Sequence, residues 1–169
     1  MINNLKTALL IYFLLISFSL KAQDEYVPTV GAKLRTLSGQ DMITGKVIDI
    51  EFANSPAYTL FHFWKSNSDS SIKTFGFLQQ FVTKNKNKMV AFGFPYEYRK
   101  DIPLAKELIR KHQLNWPQLV QYRQPNGAAV VDVLVIKEFP TYILIDREGI
   151  IIVRSNDLND VDALLKKLQ

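Results

Sequence analysis

Apolar positions along the chain fall into runs with distinct periods. Gly45–Phe52 alternates, with Val47, Ile48, Ile50 and Phe52 apolar, and predicts a strand that Asn54-Ser55-Pro56 ends. Tyr58–Trp64 (YTLFHFW) is rich in aromatic and β-branched residues and predicts a buried central strand. A polar stretch, Lys65-Ser66-Asn67-Ser68-Asp69-Ser70-Ser71, follows and is rich in helix-capping side chains. Ile72, Phe75, Leu78, Phe81 and Val82 then recur at helical spacing and predict a helix to about Thr83. Met89–Phe94 predicts a second apolar strand. Asp101 is placed to cap a helix with Pro103 in its first turn and Leu104, Leu108 and Ile109 as its buried stripe, ending near His112. Asn115–Val120 is extended around Pro117, Gln124–Gly127 is a turn, and Ala128–Val135 suits helix or strand equally. Thr141–Ile145 and Ile150–Arg154 predict strands joined by Asp146-Arg147-Glu148-Gly149, with Gly149 at positive φ. Leu158–Leu168 predicts a last helix with Val161, Leu164, Leu165 and Leu168 inward. Leu37-Ser38-Gly39-Gln40 is expected to be a turn. The order strand–helix–strand–helix, hairpin, helix is that of an α/β layer sandwich.

The first residues follow a different pattern. Met1–Lys6 ends in a positive charge, and Thr7–Leu20 is an uncharged apolar run of 14 residues leading to Lys21-Ala22-Gln23. These are the regions of a secretory signal peptide, too short for the ~20 residues that cross a bilayer as a helix. Residues 1–22 are therefore expected to be a signal peptide cleaved near Ala22, residues 23–29 a lead-in, and residues 30–169 one domain. An uncleaved N-terminal anchor is the alternative. Localisation is expected to be exported, periplasmic or cell-envelope, with no integral membrane span in the mature chain.

Charge adds little. The chain carries 21 Lys and Arg against 16 Asp and Glu, for +5; losing Lys6 and Lys21 with the leader leaves 19 against 16. Lys84, Lys86 and Lys88 suit a solvated loop, and no nucleic-acid partner is expected. The 169 residues include no cysteine, which excludes disulfides, thiolate catalysis and lipidation at a cleavage-site cysteine. Asp41, Asp49 and Glu51 lack metal-ligand spacing, and no metal or cofactor is expected.

Two stretches carry a resemblance. Phe63-Trp64-Lys65-Ser66-Asn67-Ser68-Asp69-Ser70-Ser71 and Glu138-Phe139-Pro140-Thr141-Tyr142-Ile143-Leu144-Ile145-Asp146, with Glu148-Gly149-Ile150-Ile151 after it, resemble the exported thioredoxin-like thiol-disulfide oxidoreductases of the TlpA/ResA (redoxin) type. Asn115-Trp116-Pro117 sits where that family often has an aromatic–Pro pair. The resemblance spans about Val30–Gln169. It implies a thioredoxin-like fold, a central mixed β-sheet flanked by helices in three layers. It also implies that Ser68 and Ser71 stand at the two positions of a C-x-x-C motif, that Asn67 replaces the preceding Trp, and that Pro140 is cis and faces the active-site turn. Phe139 would then offer backbone groups to an extended peptide. The implied binding groove comprises Trp64, Asn67, Ser68, Asp69, Phe139 and Pro140.

The missing sulfur removes the family's reaction, which is thiolate attack on a disulfide. A helix N-terminus stabilises an anion by at most ~2 kcal/mol, about 1.5 pKa units, and a serine hydroxyl stays protonated under such a shift. A serine nucleophile needs an adjacent base, for which His62 and His112 are the histidine candidates. Ser68–Ser71 also reads as an N-cap cluster, with a weak anion or peptide role as the alternative; Pro140 also reads as merely shaping the hairpin entry. Tyr96, Glu97, Tyr98, Arg99, Lys100 and Asp101 form a polar loop near the strand ends that reads as solvated, with ligand binding as the alternative. The expected function is a non-catalytic polypeptide-binding or scaffold protein of the cell envelope, its partner an envelope protein or an extended peptide. The alternatives are a redox-homeostasis role beside a cysteine-bearing partner, and a purely structural or solute-binding role. The last is favoured if the groove between Asn67 and Phe139 is filled by the protein's own side chains.

Overall fold

The computed structural model describes residues 27–120 and 129–168. The predicted signal peptide with its cleavage point, residues 23–26 of the lead-in and the predicted turn at Gln124–Gly127 lie outside the described residues. Chain order is β1 (Leu37–Gln40), β2 (Val47–Ile50), β3 (Tyr58–Trp64), α1 (Asp69–Lys84), β4 (Met89–Pro95), α2 (Ile102–Lys111), a short α3 (Val130–Val133), β5 (Thr141–Asp146), β6 (Ile151–Ser155) and α4 (Leu158–Lys167). The sheet order is β4-β3-β5-β6, with β3 parallel to β4 and antiparallel to β5, and β5 antiparallel to β6. This is the expected α/β class with a mixed central sheet.

Period-2 alternation in β3 feeds both faces of that sheet. Phe61 and Phe63 point to one side, where they pack with Phe94, Phe52 and Ile50 and with Val130 and Val131 of α3. Leu60 points to the other side, against Leu78 and Phe81 of α1 and Val161 and Leu165 of α4. Trp64 continues that face against Phe75 of α1 and Ala105, Leu108 and Ile109 of α2. Helices therefore flank the sheet on both sides. Each fully buried large side chain contributes roughly 1.5–3 kcal/mol by leaving water.

Several expectations need correction. Leu37–Gln40 is a strand, paired antiparallel with β2 from Leu37↔Ile50 to Gln40↔Val47. Gly39 is there for close approach: a Cβ at this position would meet Leu119 Cβ at 3.2 Å. Leu104 is 42% exposed and Ala105 takes its place in the stripe of α2. Leu168 is 51% exposed, and Leu158 is buried in its stead. Asp101 occupies the N-cap position of α2 but its side chain makes no capping bond. The ambiguous segment before β5 forms α3.

The β1–β2 hairpin is stitched to the main sheet through the extended Trp116–Val120 segment. Asp41 bridges Leu119, and Gln118 bridges Gly93 on β4. Asp41 Oδ1 accepts from Thr44 N and Oγ1, both at 2.7 Å, and Oδ2 accepts from Gln118 N at 2.8 Å. Burial raises the pKa of this carboxyl, but the hydrogen bonds from Thr44 and Gln118 outweigh it and leave the pKa below its ordinary value.

Candidate functional site

Register brings three chain segments to one end of the sheet. Trp64 is opposite Pro95 in the parallel β3–β4 ladder, so the residues that follow, Lys65-Ser66 and Tyr96-Glu97, become neighbours. Phe63 is opposite Thr141 in the antiparallel ladder, so Phe139 arrives beside Lys65. The Tyr96 and Phe139 rings stack at 5.7 Å and 6°, and Lys65 Nζ lies 4.9 Å and 4.6 Å from their centroids. Such cation–π contacts are worth about 0.5–1 kcal/mol at exposed sites.

The turn into α1 is built by hydroxyls. Ser68 is the N-cap, with extended backbone, and its Oγ accepts from Ser71 N at 3.3 Å. Asp69 places a negative charge in the first turn, where the helix dipole favours it. Ser71 is fully buried, and its Oγ accepts from Lys65 N at 3.4 Å. Ser70 Oγ is 2.8 Å from Ser68 Oγ and donates to the Phe139 carbonyl at 2.8 Å. The Phe139–Pro140 peptide is cis. The helix N-terminus and the Pro140 loop are thus joined by Ser70, residues 69 positions apart from Phe139 in sequence.

The remaining predicted groove residues take other positions. Trp64 has no exposed surface and donates its indole N–H to Gln118 Oε1 at 3.1 Å, below the site. Asn67 and Asp69 are exposed and make no side-chain hydrogen bond among the described residues. Pro140 is buried. Ser66, 2% exposed, gives its N–H and its hydroxyl to the two carboxylate oxygens of Glu97. Burial raises the Glu97 pKa, the hydrogen bonds from Ser66 oppose this, and nearby Asp101 adds to the rise. Tyr96, 39% exposed, keeps to the solvated loop expected of it, whereas the β3–β4 register draws Glu97 to Ser66, a register that sequence periodicity leaves open.

Among the described residues, neither histidine hydrogen-bonds a serine. His62 is buried between the stacked rings of Trp64 and Tyr142, at 6.3 Å and 5.3 Å, and both its nitrogens lack hydrogen-bond partners among the described residues. Burial lowers its pKa to about 3. His112 meets Phe75 edge-on at 5.3 Å. Tyr142 donates to Thr74 Oγ1, which donates to the Ser71 carbonyl, tying β5 to the first turn of α1. Burial pushes the Tyr142 pKa up to about 12. The serines of the turn therefore have donors and acceptors around them, but no histidine base in contact.

No known protein family and no curated protein matches the sequence. Solved structures do resemble the fold. The thioredoxin domain of a thiol-disulfide oxidoreductase from Bacteroides vulgatus superposes with a TM-score of 0.68 at 21% identity, over 82% of this chain and 96% of that one. A thiol-disulfide oxidoreductase from Bacteroides fragilis gives 0.68 at 20%, over 82% and 100%. A thiol:disulfide interchange protein from a Bacteroides species gives 0.67 at 21%, over 82% and 88%. The fold is thioredoxin-like.

Proposed function

We propose that this is an exported, redox-silent thioredoxin-fold protein acting as a non-catalytic scaffold in the cell envelope. One observation carries the reading: Ser70 Oγ donates to the Phe139 carbonyl at 2.8 Å. By the family resemblance, that carbonyl belongs to the loop that would meet an extended peptide. Here the protein's own side chain takes it, and the Tyr96–Phe139 stack beneath Lys65 closes the neighbouring surface. That bond closes the Phe139 side of the crevice from within, which counts against an open peptide groove and leaves the scaffold role in its structural form.

The chemistry supports silence. Exchange requires a sulfur nucleophile, and the chain has none. Ser68 and Ser71 sit where a helix N-terminus would stabilise an anion, yet that assistance leaves a hydroxyl protonated at neutral pH. Export rests on the pattern of residues 1–22.

Two assays test this together. The protein is expected not to accelerate insulin reduction by dithiothreitol; turnover above the uncatalysed rate overturns the silent assignment. In a titration with carboxymethylated, unfolded α-lactalbumin, the wild type is expected not to bind and Ser70→Ala to gain binding. Equal binding by both proteins overturns the closed crevice.

A further inference from the structure

A cavity of about 540 Å³ opens on a different part of the molecule, between the β1–β2 hairpin, the end of α2 and the Asn115–Pro117 segment. It shares no lining residue with the crevice at Ser68–Ser71 and Phe139. Its volume falls in the range of small-molecule sites, about 300–1,000 Å³. Ile43, Val47, Ile109, Leu114, Trp116 and Pro117 belong to its apolar wall. Two of these leave unusual apolar area in water: Val47 is 73% and Ile43 43% exposed.

The charges at the wall are unequal in availability. Asp41 lines the cavity, but its carboxylate already accepts three hydrogen bonds and is 5% exposed. Lys46 and Arg110 are exposed and form no ion pair among the described residues. Trp116 adds a buried indole N–H that has no hydrogen-bond partner among the described residues.

Two kinds of occupant differ in what they ask of the wall. An extended peptide needs a run of free N–H and C=O groups. At the Asp41–Lys46 turn these are taken, since Gly45 N donates to Asp41 O, Asp41 N to Lys46 O and Thr44 N to Asp41 Oδ1, and among the described residues β2, paired with β1 alone, keeps one edge open. On the α2 side, Leu114 N donates to Ile109 O. An acyl chain asks for no such partners, and a single anionic head matches two unpaired cations.

We infer that this groove binds a free long-chain carboxylate, its chain along Ile43, Val47, Ile109 and Leu114 and its head between Lys46 and Arg110. The inference is independent of the proposed scaffold role. The probe is dodecanoate below its critical micelle concentration, titrated calorimetrically into the purified protein. Saturable one-to-one binding is expected, at least tenfold weaker in the Lys46→Glu/Arg110→Glu double variant and in Val47→Asp. These positions are exposed, and unchanged far-UV circular dichroism verifies each fold. Dodecyltrimethylammonium is expected to bind at least tenfold more weakly than dodecanoate. Absence of saturable binding overturns the inference, as does equal affinity for the two amphiphiles or an unchanged affinity in the charge-reversed variant. Tighter binding of an alternating Glu–Leu peptide would reassign the groove to polypeptide. Association with phosphatidylglycerol vesicles without binding of monomeric dodecanoate would reassign it to a membrane surface. Either result overturns the inference.

Discussion

Replacing Gly93 by alanine probes the packing that supports the site from below. Gly93 lies on β4, and a Cβ built there falls 1.9 Å from Gln118 Oε1, 2.5 Å from its Cδ and 2.7 Å from its Nε2. Gln118 is fully buried and cannot swing into solvent without leaving its partners. It accepts from Trp64 Nε1 at 3.1 Å and donates to the Trp116 carbonyl at 3.2 Å. Trp64 in turn accepts from Tyr96 N through its carbonyl, immediately before Lys65. Displacing Gln118 strands the buried indole donor, about 1–3 kcal/mol, and overpacking the core adds about 1–3 kcal/mol more. Gly93→Ala is therefore expected to destabilise by roughly 2–6 kcal/mol, a large share of the 5–15 kcal/mol typical of a domain. Urea unfolding followed by far-UV circular dichroism measures it. The same substitution in a Gln118→Ala background meets none of those three atoms and is expected to cost under about 1 kcal/mol. A Gly93→Ala protein within 0.5 kcal/mol of wild type, or an equal penalty in both backgrounds, would refute the reasoning.

Other predictions concern the pH dependence and the helix cap. His62 has a folded pKa of about 3 against an ordinary 6.5, so between those values the unfolded chain binds more protons. Its contribution is complete above about pH 6.5 and is lost as pH falls toward 3, by up to roughly 5 kcal/mol at 1.36 kcal/mol per unit. His62→Phe is expected to flatten the stability profile between pH 7 and 4; parallel profiles for the two proteins would count against a neutral, buried imidazole. Ser68→Ala is expected to lose about 1 kcal/mol through the N-cap, and Ser68→Asp to retain it. Equal unfolding midpoints for all three proteins would mean that the cap contributes nothing.

Much of this architecture was legible because its strands announce themselves. Tyr58–Trp64 and Met89–Phe94 are largely apolar or aromatic runs bounded by polar turns, and the structure keeps both, adding only Pro95 to the second. Gly149 was equally clear, since the tight turn requires its φ of 83°. Gly39 was misread because glycine signals a turn and a close approach alike, and only the tertiary contact with Leu119 separates them. Leu104 and Leu168 lie near helix ends, where the apolar stripe runs past the surface it covers. The serine cap of α1 was readable from composition. That Ser70 would bond Phe139, or Ser66 find Glu97, was not: those contacts arise from the registers of β3 with β4 and β5. Sequence periodicity identifies strands but leaves such registers open.

On the proposed reading, the helix-terminal turn of α1 suits a dithiol and carries oxygen in place of sulfur. Introducing Ser68→Cys and Ser71→Cys together tests it directly, by counting free thiols after treatment with a graded series of glutathione redox buffers. The account predicts an intramolecular bond that closes and reopens reversibly with the helix content unchanged. A pair that stays reduced in the most oxidising buffer would contradict it.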